Sequence, residues 1–173
     1  MREEAAARVR AYRYVGPPEL RALARTGRTI RSAADFAAWA AGRDAEEFAE
    51  PFTYVVDAEG VLRLAPRRSE HVACAGGGAV LGAGEMSFRT ENGRWAVDEV
   101  TNQSTGYCPD PARSWPAVAE ALDRAGTPRP PGFTYEVIFR RCVACAQVNV
   151  VRDAHFACVF CEEDLPQEWN VDV

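Results

Sequence analysis

The sequence predicts an α+β fold, with short N-terminal helices, a mainly antiparallel sheet with one packed helix, and a C-terminal segment organised by cysteines. Three observations carry this. The hydrophobic period changes from helical to alternating at Phe52. Two alternating segments fold back on themselves at turn-forming residues, Asp57-Ala-Glu-Gly60 and Asn92-Gly93. Four of the six cysteines form two Cys-x-x-Cys pairs near the C-terminus.

The elements follow in order. Arg8 to Val15 reads equally as a strand or a frayed helix. Pro17-Pro18-Glu19 starts a turn of helix with Leu20 and Leu23 inward, ending near Gly27. Ser32 is an N-cap with Asp35 three residues on. Phe36, Trp39 and Ala40 follow at helical spacing, with Gly42 at C′. Asp44 caps a short segment containing Phe48, which Pro51 stops.

Strands then take over. Phe52 to Val56 and Val61 to Leu64 form one hairpin, and Ala79 to Phe88 with Trp95 to Thr101 form the second. Trp95 and Val97 share a face but Val100 falls out of register, which predicts a bulge near Asp98-Glu99. Ser114 to Ala125 is a helix with Val118, Ala121, Leu122 and Ala125 on one stripe, stopped by Gly126 and Pro128. A Pro-rich linker, Thr127 to Gly132, leads to a strand over Thr134 to Arg140 with Tyr135, Val137 and Phe139 on one face.

The length of 173 residues suits one ordinary domain with a small appendage. The expected divisions are a helical segment over 1–50, an α+β core over 51–133, and a strand plus cysteine segment over 134–173. With 47% hydrophobic residues the chain can bury a core. No apolar run is long enough to span a bilayer, and the acidic start Met1-Arg2-Glu3-Glu4-Ala5 is unlike a secretion signal, so a cytoplasmic location is expected. All 20 basic residues are arginine. A lysine Schiff base, a P-loop lysine and a kinase-type lysine are therefore excluded.

Cys142-x-x-Cys145 and Cys158-x-x-Cys161 are separated by twelve residues. Such pairs bring four thiolates around one ion, so this segment resembles a zinc ribbon with 146–157 as a short hairpin. Disulfides compete with that reading but suit a secreted chain. Four cysteine ligands leave no position for a catalytic water, so the expected zinc is structural.

Candidate chemistry lies between Arg67 and Pro111. His71 is one of two histidines; the other, His155, falls in the cysteine segment. His71 reads either as an acid–base group, with Glu85 and Tyr107 as catalytic partners, or as a hydrogen-bonded histidine in a sheet. Glu85 has the alternative of pairing with Arg67 or Arg68, and Tyr107 that of plugging the core. Arg68, Asn102 and Ser104 are candidate ligand contacts, the last two in a polar loop before a helix. Cys108 close to His71 would permit a thiolate nucleophile. Gly76 to Gly78 read as a turn, while Gly82 and Gly84 within a strand mark either a bend or packing contact, or a ligand-facing stretch.

The order of His71, a Gly-rich turn, a strand ending Ala83-Gly84-Glu85, and a strand running into Ser104-x-x-Tyr107-x-Pro109 resembles a module of plant IQ-motif calmodulin-binding proteins. That module has the pattern His…Ala-Gly…Ser-Gly-His-Tyr-x-Pro. The resemblance covers roughly His71 to Gly126. Ser104, Tyr107 and Pro109 agree, Gly106 replaces the family's second histidine, and there is no IQ motif. It implies a shared fold segment and no activity.

Charge separates the functional expectations. Residues 142–173 hold Arg152 alone against Asp153, Glu162, Glu163, Asp164, Glu168 and Asp172. That is the wrong sign for tracking phosphates, although arginines outnumber acids over 1–45. The leading expectation is a binding or regulatory role with a protein partner. An enzyme acting on a nucleotide-like or other small ligand at His71 is the alternative, and nucleic-acid binding the second alternative.

Overall fold

The computed structural model describes residues 9–172, so Arg8 and the stretch from Met1 to Ala5 lie outside the described residues. The α+β class holds. Five strands, β1 (Arg28–Ile30), β2 (Phe52–Asp57), β3 (Leu62–Ala65), β4 (Val80–Glu91) and β5 (Arg94–Val100), form one antiparallel sheet in the order β1-β3-β2-β4-β5. Helices α1 (Ala33–Ala41), α2 (His71–Ala75) and α3 (Pro111–Arg124) pack on it, and β6 (Ile138–Arg141) pairs with β7 (Val148–Val151) in a separate hairpin.

β2 lies at the centre and is buried on both faces. Phe52, Tyr54 and Val56 join Trp39 of α1 with Val118 and Leu122 of α3 in the larger cluster. Val55 points the other way, against Val72 and Cys74 of α2 and Tyr12. The sheet is thus covered on both sides, by the expected α1 and α3 on one face and by the short α2 on the other. Alternation cannot report this, because a strand buried on both faces reads as a continuous apolar run.

Residues 9–50 are less helical than expected. β1 adds an edge strand to the sheet, and Tyr12 exchanges both backbone hydrogen bonds with Val80. Of the two readings of Arg8 to Val15, the extended one therefore applies at Tyr12. Pro18–Ala22 is only a 3-10 turn, and Leu23 is exposed rather than inward. Ser32 caps α1 by accepting from the Asp35 N–H. Gly42 ends it at φ −85°, so no left-handed residue is used there. Asp44 precedes a 3-10 turn, Ala45–Ala49, without a side-chain capping bond.

The two hairpins form as expected, and the bulge falls at Asp98: Ser87 pairs with Glu99 and Phe88 with Val97. That insertion returns Val100 to the core beside Val97. Gly126 follows α3 in the left-handed region at φ +68°. The linker then runs along the outer edge of β5, where Val97 N–H donates to Pro128 O. This covers a sheet edge that would otherwise be open to pairing. The strand expected from Thr134 begins only at Ile138. Tyr135 meets Thr101 in an isolated bridge and is exposed, whereas Val137 and Phe139 are buried as expected. No described helix is long and apolar enough to cross a membrane.

Candidate metal centre

The expected 146–157 hairpin divides in two. β7 pairs back across the first knuckle with β6, and Asp153 and Ala154 (φ 52° and 54°) make the turn that bridges Arg152 to His155. The second knuckle is closed by a bridge between Ala157 and Asp164.

The two knuckles repeat one hydrogen-bond scheme. Cys142 N–H donates to Gln147 O and Ala146 N–H to Cys142 O; likewise Cys158 N–H donates to Glu163 O and Glu162 N–H to Cys158 O. Each scheme needs a left-handed residue straight after its second cysteine, here Ala146 (φ 64°) and Glu162 (φ 68°). Non-glycine residues are uncommon there and cost about 1–3 kcal/mol each, so the surrounding structure must hold them.

The geometry brings the four sulfurs within 4.8 Å of one another. Cys142 and Cys161 Sγ are 3.5 Å apart, and Cys145 and Cys158 Sγ are 3.6 Å apart. Thiolates about 2.3 Å from a tetrahedral ion stand about 3.8 Å from each other, so the set fits one ion. N–H groups support the charge: Phe160 N–H and Asn149 Nδ2 both donate to Cys158 Sγ at 3.4 Å. Burial alone would raise the Cys158 thiol, but the Phe160 N–H and the Asn149 amide among its donors bring it down to about 6. Cys161 goes the other way: against the lowering effect of the Glu163 N–H, burial and the three neighbouring sulfurs push it up to about 12. Four thiolates this close repel one another unless a cation lies between them.

No known protein family, curated protein or solved structure matches this chain. The likeness to the plant IQ-motif module gains no support from that comparison, and its residues have structural tasks. Tyr107 is fully buried, packs edge-on against Tyr14 and donates to Gly78 O. Burial raises its hydroxyl well above the ordinary tyrosine range. Pro109 O accepts from Asn102 Nδ2.

His71 stands at the first position of α2 and not in a strand. It is 4% exposed, and both ring nitrogens are engaged. Nε2 donates to Gly84 O at 2.9 Å, and Nδ1 accepts the Thr105 N–H at 3.2 Å. The Thr105 hydroxyl in turn donates to Glu70. Burial lowers the His71 pKa, so the ring is held neutral. The expected histidine hydrogen bonding is present, but on a helix that joins β4 to the 102–106 loop.

The other candidates disperse. Glu85 is half-buried, while Arg67 pairs with Glu50 instead of Glu85. Arg68 is exposed in the left-handed turn before α2. Asn102 is fully buried; its amide donates to Pro109 O and Val137 O, and its Oδ1 accepts the Val137 N–H. It ties the polar loop to the approach to β6. Ser104 has a buried hydroxyl without a hydrogen-bond partner among the described residues. Cys74 and Cys108 are buried, and burial raises both thiols to about 12, which removes the thiolate that a Cys108–His71 pair would need. Gly82 and Gly84 answer to packing: an added Cβ would meet Val118 Cγ2 at 2.6 Å and Thr101 O at 1.9 Å respectively.

Asn149 is the centre's residue that the spacing rules miss. It is buried on β7, with Nδ2 on Cys158 Sγ and Oδ1 accepting the Val159 N–H at 2.9 Å. The available signal was an asparagine inside the alternating run Val148-Asn-Val-Val151.

Proposed function

We propose that Cys142, Cys145, Cys158 and Cys161 hold one zinc ion as a structural zinc ribbon, and that the protein serves in the cytoplasm as a binding or regulatory module for another protein. The observation carrying this reading is the closed set of four sulfurs within 4.8 Å. Zinc suits four soft thiolates in a tetrahedral set. When bound it supplies folding energy to a segment whose own core is small, comprising Ile138, Val151, Phe156 and Leu165 around the cysteines. A reducing compartment keeps such thiolates available as ligands.

A His71-centred enzyme receives less support, because both ring nitrogens are occupied and the ring is buried. Nucleic-acid binding is disfavoured by the acidic surroundings of the ribbon.

The test is affinity capture from the native lysate with the wild-type protein and with Cys142→Ser. A defined partner retained stoichiometrically by the first and lost by the second supports the proposal. Recovery of no partner at any salt concentration contradicts the interaction role.

A further inference from the structure

The residues between the cysteines of each knuckle have no packing role. Val143 is 77% exposed, Val159 75% and Phe160 63%, although each is flanked by a cysteine of the centre. The four sulfurs lie within 4.8 Å of one another, so the two knuckles that carry these exposed side chains approach each other at the centre. Large apolar groups are seldom left together on a surface unless they meet a partner.

The charge beside the second knuckle is acidic, whereas at the first Arg141 Nη1 donates to Ala146 O. Glu162, Glu163 and Asp164 follow Phe160 and Cys161 directly, and all three are exposed. None of them takes part in an ion pair among the described residues. Four thiolates around a divalent cation add two further negative charges beneath the same tips. A surface of this kind repels phosphate backbones and anionic lipid headgroups and attracts cationic segments.

We propose that the ribbon tip is a docking surface for a cationic peptide segment, whose large apolar side chains cover Val143, Val159 and Phe160 while its arginines or lysines meet Glu162, Glu163 and Asp164. This rests on the reading of the ribbon as an interaction module and names the chemistry of its partner. The apolar tips provide the buried anchor, and the acids provide selection by sign and faster encounter.

Zinc-loaded, isotope-labelled full-length protein tests this by amide NMR at near-physiological salt. The probes are a short Lys/Leu peptide, its Glu/Leu counterpart, a short DNA duplex and phosphatidylglycerol vesicles. The Lys/Leu peptide is expected to shift the amides of 143–147 and 159–164. Its affinity should fall about tenfold or more in the combined Glu162→Lys, Glu163→Lys, Asp164→Lys variant and in Phe160→Ser, but not in Glu46→Lys. Equal binding of the Glu/Leu peptide, or binding of the duplex or vesicles at the same amides, overturns the proposal. Concentration-dependent self-association through the tips without peptide assigns the surface to a second copy and also overturns it. A zinc-loaded protein that ignores the Lys/Leu peptide but retains a native partner overturns the docking assignment alone. Failure to load zinc overturns the docking assignment and the proposed function together.

Discussion

Asn149 on β7 clasps the second knuckle from outside it: its amide nitrogen reaches Cys158 Sγ at 3.4 Å while its Oδ1 holds the Val159 N–H at 2.9 Å. One side chain thereby fixes both a ligand sulfur and the backbone that follows it. Groups that orient metal ligands in this way typically contribute 10–100-fold in affinity. Asn149→Leu is therefore expected to weaken zinc binding by about 10–100-fold. Competition with a chromophoric chelator measures this, and an unchanged affinity would show the clasp to be incidental.

His71 makes stability depend on pH in a stated direction. Burial sets its folded-state pKa below the ordinary 6.5, so the unfolded chain takes up the proton first as pH falls. Its contribution is complete above about 6.5 and declines as pH drops from there toward the folded value, by up to about 1.4 kcal/mol per pH unit. Protonation also removes the acceptor for the Thr105 N–H. Denaturant titrations between pH 7 and pH 5 should show a shallower decline for His71→Gln than for wild type. Equal slopes would contradict the assignment.

Gly84 is required by close approach and not by a ligand. Thr101 O would lie 1.9 Å from an added Cβ, and that carbonyl is itself held by the Tyr54 hydroxyl at 2.7 Å. Gly84→Ala should cost about 3 kcal/mol, toward or beyond the upper end for overpacked sites. Gly78→Ala meets nothing within 4 Å and should change stability by less than about 0.5 kcal/mol. Equal thermal shifts for the two variants would contradict this account.

Asn102 is assigned as a buried tie and not as a ligand contact. Asn102→Leu leaves the Val137 N–H without its partner and deprives Pro109 O and Val137 O of theirs. A loss of about 3 kcal/mol in unfolding free energy is expected, with hydrogen exchange rising across 102–109 and 134–137. A stability near wild type would reopen the loop as a binding site.

The legible part of the fold lay where the determinants are local. Asn92-Gly93 marked its hairpin, Ser32 its helix start, and the misregistered Val100 revealed the bulge at Asp98. The cysteine spacing located the four-sulfur cluster for the same reason. Longer-range pairings were hidden: β1 has only three residues, and Tyr12 finds a partner, Val80, that is far from it in sequence. α2 has only five residues, too few to show a period, so His71 read as a sheet residue. The tail was equally opaque. Trp169 Nε1 donates to Cys108 O and its ring meets Tyr12 edge-on at 5.3 Å, contacts that no spacing rule connects.

Elemental analysis of the purified full-length protein combined with X-ray absorption at the metal edge addresses the central claim most directly. The account predicts one zinc per chain, with four sulfur scatterers at about 2.3 Å and no nitrogen or oxygen in the coordination shell. Protein that is folded across β6 and β7 without any metal, or a zinc site with an oxygen ligand in place of a sulfur, would contradict it.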